Sequence, residues 1–80
     1  IVHSLLAIGD IMKNVNYNLI KLLHTKLDTI WRLEKHYVED SKEAKCHSVA
    51  CLEKILEDEK RHAQAIRDEI KMRVEAGVFD

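Results

Sequence analysis

Residues 49–74 read VACLEKILEDEKRHAQAIRDEIKMRV. In this stretch Val49, Leu52, Leu56, Glu59, Ala63, Ile66, Ile70 and Val74 stand three or four apart, with Ile55 widening the stripe. A strand would need period two; this spacing puts every one of these positions on one side of an α-helix. Only Glu59 interrupts the apolar seam. Glu57 stands four before Arg61 and Glu69 four before Arg73, the order in which i,i+4 pairs support a helix by a few tenths of a kcal/mol each. Gly77 is placed to end the helix in the left-handed conformation, with Val78 and Phe79 free to fold back against it.

Upstream the same periodicity holds. Ile1, Leu5, Ile8, Met12, Val15, Leu19 and Leu22 form a seam, which slips by one residue and continues through Leu23, Leu27, Ile30, Glu34 and Tyr37. Such a slip resembles a coiled-coil stutter. Between the two seams lies the polar run Glu39, Asp40, Ser41, Lys42, Glu43, in which Asp40 and Glu43 have the spacing of a capping box and Ser41 is an alternative cap. The expectation is an all-α chain: one helical domain over residues 1–80, with a helix at about 1–39, a turn at about 40–42 and a helix at about 43–76. The rival arrangement is one uninterrupted helix in a parallel coiled coil.

Composition agrees with helix. The 80 residues contain no proline, two glycines and four aromatic side chains. A chain this short buries only about 60% of its unfolded surface, and each helix carries more apolar residues than one seam needs, with Leu6, Ile11 and Ile20 beside the first. Pairing of two hairpins into a four-helix bundle would cover the surplus. The expected partner is therefore a second copy, or another helical protein.

Net charge is −1. Acidic and basic residues are interleaved, so that Lys60, Arg61 and Arg67 are mixed with Glu57, Asp58 and Asp68; no phosphate-binding stripe is predicted, and nucleic acid is not an expected partner. The opening apolar residues include His3 and Asp10 and are too few to cross a bilayer, so no membrane partner is expected either. Cys46 and Cys51 stand five apart on one helix, a spacing that cannot close a disulfide, and a reducing, cytoplasmic setting is the simpler expectation.

For chemistry, Glu59 and His62 are three apart and project from nearly one face toward the seam. A carboxylate there needs a proton, a cation or a metal. The run Glu57–Ile66 resembles the Glu-x-x-His helix of the ferritin-like superfamily, in particular its rubrerythrin-type members. That resemblance implies a four-helix bundle holding iron or manganese. A turn near residue 41 would set Glu59 level with His24, with Asp28 one turn away, so the candidate ligands are His24, Asp28, Glu59 and His62. Glu34 lies too far along the axis for the family's pattern. The leading reading is instead that Glu59 makes a buried or half-buried ion pair or sets dimer register. His36 with Asp40 and His47 with Cys51 are lesser two-ligand candidates, short of a zinc site. No serine elbow, phosphate loop or activated thiol accompanies them, so no catalytic residue is assigned. The leading expectation is a self-associating structural or interaction module, and the alternative a ferritin-like metal-binding protein.

Overall fold

The computed structural model describes residues 7–45 and 47–80. Expectations that rest on Ile1, His3, Leu5, Leu6 and Cys46 lie outside them. The described residues are helical and contain no strand. A single helical turn, α1 (Ile8–Ile11), is held by the Ala7 backbone N–H donating to the Asp10 carboxylate at 3.1 Å. The chain is then extended at Met12, so the first helix is not continuous from residue 1. It restarts as α2 (Asn14–Arg32), passes through a π-helical turn (Leu33–Tyr37) and continues as α3 (Val38–Glu43). After a reversal comes α4 (Val49–Glu75).

The reversal lies beyond the polar run. Asp40 and Ser41 are inside α3 rather than at a cap, and Ser41 is buried, its hydroxyl donating to the Val38 carbonyl at 2.8 Å. The back-bond satisfies the serine hydroxyl within the helix, so that it does not act as a cap. The helix ends instead at Ala44 and Lys45, where Lys45 takes φ 52°, the left-handed conformation that stops an α-helix. The chain therefore turns several residues later than the sequence suggests.

The two long segments pack antiparallel, Asn16 beside Arg73 at one level and Lys26 beside Glu59 at another. On α4 the expected seam holds: Val49, Leu52, Leu56, Glu59, Ala63, Ile66 and Ile70 are buried or half-buried, and only at the end does Arg73 replace Val74. On α2 the inward stripe is Asn16, Leu19, Leu23, Lys26 and Ile30, continued by Leu33 in the π turn, while Val15, Leu22 and Leu27 are exposed. The phase change falls not at Leu22 but at the π turn. There the Val38 N–H reaches back to the Leu33 carbonyl, so one extra residue is absorbed and both Leu33 and Val38 face inward.

Gly77, at φ 75°, closes α4 as expected from the sequence. Its N–H donates to the Val74 carbonyl at 3.1 Å and that of Val78 to Arg73 at 2.9 Å, the paired bonds of a Schellman cap. The tail then folds across the start of α2. Among the described residues no helix is long and apolar enough to cross a membrane.

Candidate functional site

The centre of the interhelical seam is polar. Lys26 on α2 donates to Glu59 Oε1 at 3.0 Å, and His62 Nδ1 lies 3.0 Å from the same oxygen. Both partners of the ion pair are largely covered, Lys26 by its aliphatic stem and Glu59 by the facing helix. The Lys26 hydrogen bond is the main reason the Glu59 carboxyl titrates below the ordinary glutamate range; burial opposes this and His62 adds to it. Glu59 is thus the half-buried ion pair that a carboxylate in an apolar seam requires.

Of the four candidate ligands, the fold brings Glu59 and His62 together and leaves the other two apart. His24 and Asp28 are each two residues from Lys26, hence about 200° around the helix from the side chain that meets Glu59. His24 is exposed, and Asp28 pairs with Arg32 at 2.9 Å on the outer face. The donor set does not fit a metal held within one chain, because Lys26 occupies the place that a cation would take beside Glu59. Among the described residues no three of His, Cys, Asp and Glu are grouped to hold an ion, and no pocket opens. His36 does not turn to Asp40 as a ligand partner; its ring meets Trp31 edge-on with centroids 5.2 Å apart.

Charged pairs elsewhere differ from the simple i,i+4 reading. Asp58 bonds both Lys54 and Arg61, which hold its carboxyl below the usual range, Lys54 contributing most. Arg73 leaves Glu69 and turns inward, its Nε donating to Asn16 Oδ1 at 2.6 Å. Asn16 is fully buried, and its amide donates to the carbonyls of Val78 at 3.0 Å and Asp80 at 2.9 Å. Lys13 completes this clasp, its backbone N–H donating to the Asp80 carbonyl at 2.8 Å and its ammonium to the Asp80 carboxylate at 2.6 Å. Sequence reasoning missed Asn16 and Lys26. The signal available was that each sits at a three-four spacing with Leu19, Leu23 and Ile30, where a polar residue must find a partner.

Among its charged side chains the molecule also presents large apolar groups outward. Beside the seam, α2 exposes Ile20, Leu27 and Trp31 on one flank and Val15 and Leu22 on the other. Ile20 and Leu22 are two positions apart, which sets them about 200° apart around the helix. On α4 the first flank continues through Lys60, which reaches Glu34 at 3.1 Å, and the second through Ile55 and His62. The arrangement offers two faces for helical packing and a centre already neutralised.

Set against protein-family models, curated proteins and solved structures, the chain matches none of them.

Proposed function

We propose that this chain is a self-associating helical hairpin, a structural or protein-interaction module in which two copies bury their apolar flanks as a four-helix bundle. One observation carries the reading: among the described residues twelve large apolar side chains are exposed by 39–71%, while only four apolar residues are buried. A molecule whose surface holds more large apolar groups than its interior has its main hydrophobic contact still to make. The geometry supports this, since the Cα atoms span only 13 Å in the thinnest direction, a single layer of helices. Domains are built of at least two packed layers.

The test is the mass in solution by light scattering across a range of concentrations. The expected value at micromolar protein is twice the 9.3 kDa chain. Replacing Leu56, half-buried in the seam, by glutamate is expected to abolish helicity and association together, because folding and assembly are linked by mass action. A wild-type monomer at all concentrations, or a Leu56→Glu chain that stays helical as a monomer, overturns the proposal.

A further inference from the structure

The accessible surface is 6113 Å², whereas a compact monomer of 9.3 kDa exposes about 5,000 Å². The excess of about 1,100 Å² slightly exceeds the roughly 800 Å² that each partner loses in a standard interface. One face of the hairpin covered by one copy accounts for most of it, and the two faces differ in charge.

A helical residue one position before or after an inward-facing one lies about 100° to one side of it or the other. Glu34 follows the buried Leu33, Lys60 follows the half-buried Glu59, and the two are paired at 3.1 Å. The flanks that follow the inward residues on both segments therefore form one face of the hairpin, and the flanks that precede them form the other. Apolar exposure does not tell the faces apart. The preceding flank exposes Val15, Leu22, Tyr37, Ile55 and Met72, the following flank Tyr17, Ile20, Leu27, Trp31 and Val74. Tyr37 joins the first row because the π turn brings Val38 inward one residue late.

Formal charge does tell them apart. Along the inward stripe from Asn16 to Ser41 and from Leu52 to Arg73, the following flank carries eight charged residues. They are Glu34, Glu39 and Lys42 before the reversal, and Glu53, Glu57, Lys60, Arg67 and Lys71 on α4. The preceding flank carries four: Arg32, Asp40, Asp58 and Glu69. Of these, Arg32 is bonded to Asp28 at 2.9 Å and Asp58 to Lys54 and Arg61. Asp40 lies near the reversal and Glu69 in the last two turns of α4, at opposite ends of the face. The uncharged polar groups between them are satisfied as well. The hydroxyls of Thr25 and Thr29 donate to the carbonyls of Lys21 and Thr25 at 3.0 Å each, and His62 Nδ1 meets Glu59 Oε1 at 3.0 Å. Covering a face costs least where its polar groups already have partners, and the centres of protein interfaces are depleted of charge for that reason.

Resting on the self-association proposed above, we infer that the second copy packs on the face of Val15, Leu22, Tyr37, Ile55, His62 and Met72. The face of Ile20, Leu27 and Trp31 stays in water, because covering it would strip water from twice as many charged side chains.

The experiment places a lysine on each face in turn and reads the dimer dissociation constant by sedimentation, with helicity followed by circular dichroism. Leu22→Lys and Ile55→Lys are each expected to weaken the dimer about a hundredfold or more, since each change enters a symmetric interface twice. Leu27→Lys, at a site as exposed as Leu22, should stay within about threefold of wild type. Trp31 should remain open to acrylamide quenching at concentrations where the wild type is fully dimeric. Leu22→Lys and Ile55→Lys dimers as tight as wild type, or a Leu27→Lys dimer weakened as much as theirs, overturn this choice of face and leave self-association standing. Trp31 shielded from acrylamide in the wild-type dimer overturns it as well, and this reading holds even where a variant fails to fold. A wild-type monomer at all concentrations overturns both proposals.

Discussion

Replacing Asn16 by alanine tests the clasp between the tail and the start of α2. The substitution removes two donations to backbone carbonyls, at 3.0 and 2.9 Å, and one acceptance from the Arg73 guanidinium at 2.6 Å. Neutral hydrogen bonds contribute about 1 kcal/mol each and one to a charged group about 1.5–3 kcal/mol. The tail can rehydrate once released, which recovers part of this. The net loss is then about 2–3 kcal/mol. For a chain of this size 1 kcal/mol moves the melting temperature by about 4–8 °C, so Asn16→Ala is expected to melt about 10–20 °C below wild type. The assay is thermal denaturation followed at 222 nm, both proteins at one concentration because association raises apparent stability. Arg73→Met should cost about 1–2 kcal/mol less in the Asn16→Ala background than in wild type, since the two side chains share one bond. A melting temperature within about 2 °C of wild type, or additive costs for the pair, would refute the reasoning.

Other consequences can be measured on the same instrument. Lys26→Leu leaves the Glu59 carboxylate half-buried without its cation and is expected to cost about 1–3 kcal/mol in urea denaturation, whereas the double variant K26L/E59L recovers most of it. Because the folded carboxyl of Glu59 titrates below its unfolded value of about 4.3, the pair's contribution is complete above that pH and is lost as pH falls through the folded value. The acid limb of stability should therefore flatten in Lys26→Leu relative to wild type, and an unaltered limb would count against the pair. At the helix ends, Gly77→Ala should cost about 1–2 kcal/mol from backbone conformation alone, since nothing lies within 4 Å of an added Cβ. Lys45→Gly, at φ 52°, should gain up to about 1 kcal/mol in the same melts.

The sequence was most readable where one stripe had no competitor. In α4 the seam from Val49 to Ile70 was legible because most positions between are charged or polar and Ile55 is the one large aliphatic residue among them, and the Gly77 cap because few residues other than glycine favour positive φ. In α2 two apolar stripes run side by side, one through Val15 and Leu22 and the other through Leu19 and Leu23. Periodicity alone does not say which of them meets α4. The turn was misplaced because an exposed helix surface and a loop are both polar; Glu39, Asp40, Lys42 and Glu43 are solvated on α3 without ending it. That early turn in turn brought His24 level with Glu59. With the reversal placed between Glu43 and Val49 the level of Glu59 moves well past His24, and it is the long Lys26 side chain that reaches back to the carboxylate; the candidate ligand set separates for that reason. An ion pair was the leading expectation for Glu59, but Lys26 was not named as its partner.

The π turn at Leu33–Tyr37 also sets where this chain can change length. It holds one residue more than an α-helix would need to carry Leu33 and Val38 on the same side. Loss of one residue there would convert the segment to ordinary α-helix and leave the inward faces before and after it aligned. Loss of one residue elsewhere in α2 would rotate everything beyond it by about 100° and turn half the seam to solvent. The turn is a reserve of a single residue, so the stretch around Lys35 and His36 can shorten by one without rewriting either face of the hairpin.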